Sequence, residues 1–127
     1  MPKILVVDDS KTIRLMMETG LKKEGFDIIT AVDGEDGLIK AFTENPDLIV
    51  LDVMMPKLNG FQVCRKIKRD ERTLHIPVLI LTAQNQKEEI LEGFNAGADE
   101  YLCKPFKFDE LLKQVKTLLK LYGGKDG

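Results

Sequence analysis

Acidic side chains directly follow two of the short apolar runs in this sequence. Asp8 and Asp9 come after the first run, ILVV, and Asp52 comes after a later one, LIVL. Taken singly, each acid has an ordinary explanation: Asp9 or Ser10 would cap a following helix, and Asp52 would be a loop acid. Taken together at neighbouring strand ends, two carboxylates ~4 Å apart repel each other by about 4 kcal/mol at an effective dielectric constant near 20. We therefore expect a divalent cation to offset this repulsion.

A hydroxyl and a lysine follow two further apolar runs. Thr82 comes after VLIL, and Lys104 follows the run that contains Tyr101 and precedes Pro105. Alone, each would be an ordinary strand or surface residue, but both side chains can bind phosphoryl oxygens, one by a hydrogen bond and one by charge. Mg²⁺ prefers one or two carboxylates, waters and a phosphate oxygen. A carboxylate beside such an ion can itself be phosphorylated. The combination predicts Mg²⁺-dependent phosphoryl transfer at one edge of a sheet.

Other phosphate chemistries lack their motifs. The segment after the first run contains neither GxGxxG nor GxxxxGK[ST], which excludes dinucleotide binding and a P-loop at that place. The adjacent acids Asp8 and Asp9 would repel a phosphate unless a metal intervened. A phosphatase of the haloacid dehalogenase type would instead carry Asp-x-Asp after its first strand and another acid after the fourth.

The elements that must position these residues alternate along the chain. Continuous apolar runs predict strands, and apolar residues at helical spacing lie between them and after the last one. The predicted strands lie at 4–7, 26–31, 48–51, 78–81 and 101–102, and the helices at 11–24, 38–42, 63–67, 90–94 and 111–119. Asn59-Gly60 is predicted to be a turn. Five such units predict an α/β fold with a parallel sheet covered on both faces. Strand orders 2-1-3-4-5 and 3-2-1-4-5 have the same local pattern.

Composition narrows the class of protein. The chain has 127 residues, 43% hydrophobic and 31% charged, which is typical of one globular domain. With 19 basic and 21 acidic residues, its net charge of −2 gives no reason to expect direct nucleic-acid binding. No apolar run approaches the ~20 residues of a membrane span, so we expect no membrane association. Cys64 and Cys103 form no metal-binding pattern and are expected to be reduced thiols in a cytoplasmic protein.

Four segments together resemble the receiver domain of two-component response regulators. They are VVDDS, VLDVMMPKLNG, LTA and YLCKPF, each at the end of a predicted strand. The resemblance runs from about residue 3 to 122. It implies a receiver domain over residues 1–122 with a C-terminal tail at 123–127. It also implies a flavodoxin-like, doubly wound sheet of order 2-1-3-4-5 with five helices.

The same resemblance implies a role for each site residue. Asp52 would take a phosphoryl group from a sensor histidine kinase or a phosphotransfer protein, with Lys104 pairing with the phosphate. Thr82 and Tyr101 would act as the switch that re-forms the face of the fourth helix, fifth strand and fifth helix, which binds a downstream effector. The peptide bond before Pro105 would be cis. Mg²⁺ would be held by Asp8, Asp9, Asp52 and the backbone carbonyl of Met54.

Two functions remain open at this point. The first is a self-phosphorylating switch with slow autodephosphorylation, which is not a turnover enzyme. The alternative is a small metal-dependent phosphohydrolase. The single histidine, His75, lies before the fourth strand and away from the acids, so the alternative has no residue to activate water. A receiver that only mediates contacts would not need the complete set of site residues.

Two further expectations concern the surroundings of the site. In the first helix Met17 and Leu21 should face the core. Ile13 and Met16 should form a docking edge for the kinase, and Leu15 should face solvent. Met54 and Gln84 lie two residues after Asp52 and Thr82. Met54 should shield the phosphoryl group from water and so lengthen its lifetime, whereas Gln84 could orient a water molecule.

Overall fold

Strands and helices alternate without exception along the described chain. The computed structural model describes residues 1–83 and 87–122. The elements are β1 Lys3–Val7, α1 Lys11–Lys23, β2 Asp27–Ala31, α2 Gly34–Glu44, β3 Leu48–Asp52, α3 Gly60–Lys68, β4 Val78–Ala83, α4 Lys87–Asn95, β5 Glu100–Lys104 and α5 Phe108–Tyr122. The predicted elements are all present, and their bounds differ by only a few residues. The fifth strand is longer than expected, because it extends to Lys104 itself.

The sheet is parallel and has the order β2-β1-β3-β4-β5. This confirms the flavodoxin-like topology and removes the alternative order. Strand order reverses between β1 and β3, and ligands of such folds bind beyond the carboxyl ends of the strands near that point. The register pairs Val7 with Leu51, and Asp52 with Leu81. The acids that follow β1 and end β3 are therefore brought to the same edge.

The core has two layers, one on each face of the sheet. Side chains of β1 and β3 alternate between the layers, so both strands are buried on both faces and read as continuous apolar runs. One layer packs the sheet against α2, α3 and α4, and the other packs it against α1 and α5. Met17 and Leu21 of α1 are fully buried, as predicted.

Local signals explain where several helices begin and end. Ser10 caps α1, and its hydroxyl accepts a hydrogen bond from the backbone N–H of Ile13 at 3.3 Å. The prediction of a turn at Asn59-Gly60 is wrong, because Asn59 caps α3 and forms a reciprocal capping box with Gln62. Only glycine fits at position 60, where an added Cβ would lie 2.5 Å from the carbonyl oxygen of Asp52.

Some apolar residues that predicted helices do not lie in the core. Ile39 of α2 is 62% exposed, and Leu91 and Phe94 of α4 are 64% and 50% exposed. The periodicity was sufficient to place the helices, but a short pattern does not determine which of several adjacent apolar residues faces the sheet. No helix in the described ranges is both long and apolar enough to cross a lipid bilayer.

Candidate metal centre

The predicted site residues meet at the carboxyl edge of the sheet. Asp8 follows β1, Asp52 ends β3, Thr82 lies near the end of β4, and Lys104 ends β5. The register places Thr82 opposite Cys103, so the hydroxyl and the lysine lie on adjacent strands at the same level. The fold therefore brings together residues that are up to 96 positions apart in the chain.

Three carboxylates form a compact acidic cluster there. One oxygen each from Asp8, Asp9 and Asp52 lies within 4.8 Å of the others. Asp8 and Asp52 are buried, with exposed fractions of 1% and 3%, and Asp9 is exposed. The cluster is thus open to solvent on one side, where a ligand can reach it.

Asp8 is fixed by two hydrogen bonds, but one of its carboxylate oxygens has no partner among the described residues. Its Oδ1 accepts a hydrogen bond from the backbone N–H of Ser10 at 2.8 Å. Its backbone carbonyl accepts one from the guanidinium of Arg14 at 2.7 Å, a contact that sequence reasoning missed because nothing local marks it. Its Oδ2 is buried and has no hydrogen-bond partner among the described residues. Buried polar atoms are rarely left in this state, so the oxygen is well suited to bind a ligand.

The electrostatics of the cluster oppose ionisation of its buried members. Burial raises the pKa of Asp8, and the neighbouring charges of Asp52 and Asp9 raise it further. Burial also raises the pKa of Asp52, although the hydrogen bond and charge of Lys104 counteract part of that rise. Burial and the neighbouring acids both disfavour the negatively charged form of these two carboxyl groups. A bound cation would remove the penalty.

Lys104 contacts the acid that ends the central strand. Its Nζ lies 2.8 Å from Oδ1 of Asp52, and the side chains are 37% and 5% exposed. The pair joins β3 to β5 across the intervening end of β4. The Lys104–Pro105 peptide bond is cis, which confirms the expectation drawn from the resemblance.

Of the two predicted switch residues, Thr82 lies near the end of β4, and Tyr101 lies three residues before Lys104 on β5. Thr82 is buried, with 2% exposed, and Tyr101 is half-buried. The Tyr101 ring packs edge-on against Phe94 of α4, with 5.1 Å between ring centroids and an interplanar angle of 76°. Sequence reasoning used Phe94 only to place a helix and missed this pair, since contacts between elements leave no local signal.

The segment after Asp52 carries the last predicted metal ligand. The Met54 side chain is 70% exposed, whereas Met55 packs against the core. The carbonyl of Val53 accepts hydrogen bonds from the N–H groups of Met55 and Gly60, both at 3.1 Å, and these close the loop. Gln84, the second residue expected to affect phosphoryl lifetime, lies outside the described residues. The shielding role of Met54 stays a prediction.

The donor set fits a hard divalent cation. All three side chains of the cluster offer carboxylate oxygens, the ligands that Mg²⁺ prefers. Oδ2 of Asp8 has no partner among the described residues, and burial raises the pKa of Asp8 and of Asp52, so a bound cation would stabilise both carboxylates. The described residues therefore form an acidic pocket suited to a metal of this class.

Comparisons with known proteins identify the class. A family model described as the response regulator receiver domain matches residues 4–116. The chain is 48% identical over 120 residues to the DNA-binding dual master transcriptional regulator RpaA of Synechocystis, covering 94% of this chain and 50% of RpaA. It is 47% identical over 118 residues to the alkaline phosphatase synthesis transcriptional regulatory protein PhoP of Bacillus subtilis, covering 93% of this chain and 48% of PhoP. The chain belongs to the response regulator receiver domain family, and its function is phosphorelay signal transduction.

A solved structure with bound Mg²⁺–BeF is also similar to this chain. The response regulator protein TrrA from Thermotoga maritima, crystallised in complex with Mg²⁺–BeF, matches with a TM-score of 0.84 and 41% identity, covering 94% of this chain and all of that one. The present chain spans about half the length of the curated relatives named above. These matches favour a signalling switch and give no support to the phosphohydrolase alternative.

Proposed function

We propose that Asp52 is the phosphoacceptor of a Mg²⁺-dependent receiver switch. The observation that carries this proposal is the position of Asp52. It is a nearly buried carboxylate at the end of the central strand, 2.8 Å from a lysine and within 4.8 Å of two further acids. The donor would be a phosphohistidine on a sensor histidine kinase or a phosphotransfer protein.

The chemistry is the transfer of a phosphoryl group from the donor histidine to Asp52. An oxygen of Asp52 forms the new O–P bond while the P–N bond to the donor histidine breaks, and the electron pair of that bond returns to the imidazole. Lys104 neutralises charge on the phosphoryl oxygens from beside Oδ1 of Asp52. Asp8, Asp9, Asp52 and the Met54 carbonyl would hold Mg²⁺. When bound, the ion supplies positive charge that draws phosphoryl oxygens into an otherwise acidic pocket.

Phosphorylation of Asp52 would then change the structure of a surface distant from it. The Thr82 hydroxyl donates a hydrogen bond to the new phosphoryl group, and Tyr101 rotates inward behind it. That movement would break the edge-on contact between Tyr101 and Phe94. The face formed by α4, β5 and α5 would change shape and bind the downstream effector.

The protein would trap about one phosphoryl group per chain and release it slowly, so it would not act as a turnover enzyme. His75 precedes β4 and so lies near the amino ends of the strands, far from the acidic pocket. The two cysteines of the described residues are free, as expected in the reducing cytoplasm, where we place the protein. The receiver domain would occupy residues 1–122. We propose no direct contact with nucleic acid through this domain, although RpaA as a whole is named as DNA-binding.

Labelling with a small phosphodonor tests the acceptor. With acetyl phosphate and Mg²⁺, the wild type should gain one acid-stable, base-labile phosphoryl group, and a chelator should prevent it. Asp52→Asn should not be labelled. Asp27→Asn, which changes an exposed acid at the start of β2, is the matched control and should be labelled like the wild type. Full labelling of Asp52→Asn, measured by intact-protein mass spectrometry, would refute the assignment.

A further inference from the structure

The loop between β3 and α3 contains a residue in an unfavourable backbone conformation. Lys57 has a φ of +69°. Among the described residues, the other non-glycine residue with a positive φ is Asn45, a residue type that tolerates it. Lysine does not, because its Cβ crowds the backbone in the left-handed region. A lysine at a position where glycine would be relaxed points to a use for its side chain.

The Lys57 side chain pairs with two acids at the start of α2. Its Nζ lies 3.5 Å from Oδ2 of Asp33 and 3.3 Å from Oε1 of Glu35. Asp33 is itself fixed, because its Oδ1 accepts a hydrogen bond from the backbone N–H of Asp36 at 2.8 Å and so caps α2. The Lys57 side chain therefore links the β3–α3 loop to the fixed start of α2.

A close backbone contact lies next to these ion pairs. A Cβ added to Gly34 would collide with the backbone carbonyl of Leu58 and would lie 2.8 Å from its Cβ. Leu58 also packs against the core layer of α2, α3 and α4. The outer part of the loop is thus seated against the start of α2 by Lys57 and Leu58 together.

The same loop carries the proposed metal ligand Met54. Its two ends converge on Val53, whose carbonyl accepts hydrogen bonds from Met55 and Gly60. With the ends fixed beside Asp52, the orientation of the peptide groups between them depends on what holds the outer part. Lys57 is three residues beyond Met54 and makes the ion pairs that hold it.

We propose that Lys57 is a positioning residue for the metal centre: its ion pairs with Asp33 and Glu35 hold the β3–α3 loop so that the Met54 carbonyl faces the acidic cluster. This inference rests on the proposed function, since it assumes that Mg²⁺ binds there. It predicts a change in Mg²⁺ affinity opposite to the one expected from charge alone. Removing the positive charge of Lys57 should by itself strengthen Mg²⁺ binding at the acidic cluster, whereas releasing the loop should weaken it.

Calorimetric titration with Mg²⁺ alone distinguishes these outcomes. At low ionic strength, Lys57→Met should weaken Mg²⁺ binding by roughly three- to tenfold, the range expected for two exposed ion pairs. Lys57→Arg should restore most of the affinity. Lys57→Gly, which relaxes the backbone but removes the side chain, should bind as weakly as Lys57→Met. In about 1 M salt the wild type and Lys57→Met should converge, because ion pairs this exposed are screened.

Two controls isolate the ion pairs. Lys11→Met removes another exposed lysine, at the start of α1 close to Asp9, and should leave Mg²⁺ affinity equal or slightly higher. Glu35→Gln should weaken binding less than Lys57→Met does, and its effect should largely disappear in the Lys57→Met background. Thermal unfolding should show the variants folded to the same extent as the wild type.

The outcomes separate this inference from the function on which it rests. If the wild type binds Mg²⁺ and is labelled on Asp52, but Lys57→Met binds Mg²⁺ equally or more tightly, the positioning role is refuted and the proposed function stands. If the wild type binds no Mg²⁺, both are refuted. Weaker binding by Lys57→Met, with rescue by Lys57→Arg, supports both.

Discussion

At the scale of single residues, Asp8 is the least favourable part of the metal-free site. It is a buried carboxylate with one satisfied oxygen, one oxygen unpartnered among the described residues, and two acidic neighbours. Burial of the charge, the unpartnered oxygen and the two acidic neighbours each cost stability in the absence of a cation. A protein built for stability alone would have a neutral residue there. Stability and metal binding therefore make opposite demands on this position.

Asp8→Asn should stabilise the metal-free protein at neutral pH, because it removes a negative charge that burial and the neighbouring acids Asp52 and Asp9 disfavour. The amide can keep the acceptor for the Ser10 N–H. Because the pKa of Asp8 is raised in the folded state, the native protein holds a proton that the unfolded chain has lost. Wild-type stability should therefore fall as the pH rises from about 4 through the raised native pKa.

Urea denaturation with a chelator, between pH 4 and pH 8, measures both effects. The difference in the free energy of unfolding between Asp8→Asn and the wild type should be small near pH 4 and reach its full size at neutral pH. Added Mg²⁺ should stabilise the wild type by mass action and leave the variant nearly unchanged. A metal-free wild type that is more stable than Asp8→Asn at pH 7 would contradict this account.

At the scale of elements, α1 presents different surfaces to the core and to a partner. Met17 and Leu21 are buried, Ile13 is partly buried against the core, and Met16 and Leu15 are 43% and 58% exposed. The helix begins beside the acidic cluster, with Ser10 as its cap. An apolar side chain near that end can contact a kinase while Asp52 receives its phosphoryl group. Met16 is the cleaner test of the expected docking edge, because changing Ile13 also disturbs the core.

Met16→Asp should slow phosphotransfer from the cognate kinase by roughly fivefold or more, as loss of an interface side chain worth about 1 kcal/mol would. Labelling by acetyl phosphate should be unchanged, since the small donor needs no docking surface. Leu15→Asp is the matched control, because Leu15 is also exposed but lies about 100° around α1 from Met16, and this variant should transfer normally. Equal losses for Met16→Asp with both donors would instead indicate damage to the fold.

At the scale of the whole molecule, the site and the expected output face are joined through two adjacent strands. Asp52 ends β3, Thr82 lies on β4, and Tyr101 lies on β5 against Phe94 of α4. The Lys104 contact with Asp52 adds a direct link between β3 and β5. Asp52, Thr82 and Tyr101 thus lie on three consecutive strands of the sheet, and the last of them packs against α4.

Tyrosine fluorescence can test whether Tyr101 responds to phosphorylation. The protein has no Trp and two Tyr, so Tyr122→Phe leaves Tyr101 as the only strong fluorophore. Tyr122 is 56% exposed, and its replacement should cost little stability. Acetyl phosphate with Mg²⁺ should reduce quenching of Tyr101 by acrylamide as the ring turns inward. Adding Thr82→Ala should preserve labelling and remove most of the change in quenching. A fully labelled protein with unchanged quenching would exclude Tyr101 as the switch.

Much of this protein could be predicted from its sequence because the information is local. Continuous apolar runs require strands buried on both faces, and Ser10 is a helix cap wherever the helix packs. The site residues lie at or just beyond strand ends, and parallel strands end at one edge: Asp8 and Asp9 follow β1, Asp52 ends β3, Thr82 lies near the end of β4, and Lys104 ends β5. Alternation alone therefore brings these side chains together, and the motifs around them indicated the family.

The tertiary structure decided what depends on distant partners. The local sequence pattern is the same for strand orders 2-1-3-4-5 and 3-2-1-4-5. Strand order depends instead on the face of the sheet against which each crossover helix packs. The same limit hid the unpartnered oxygen of Asp8, the ring pair of Phe94 with Tyr101 and the ion pairs of Lys57. Periodicity reports whether a residue can be buried. It does not report which residue from another element it will meet, because that depends on packing the whole chain at once.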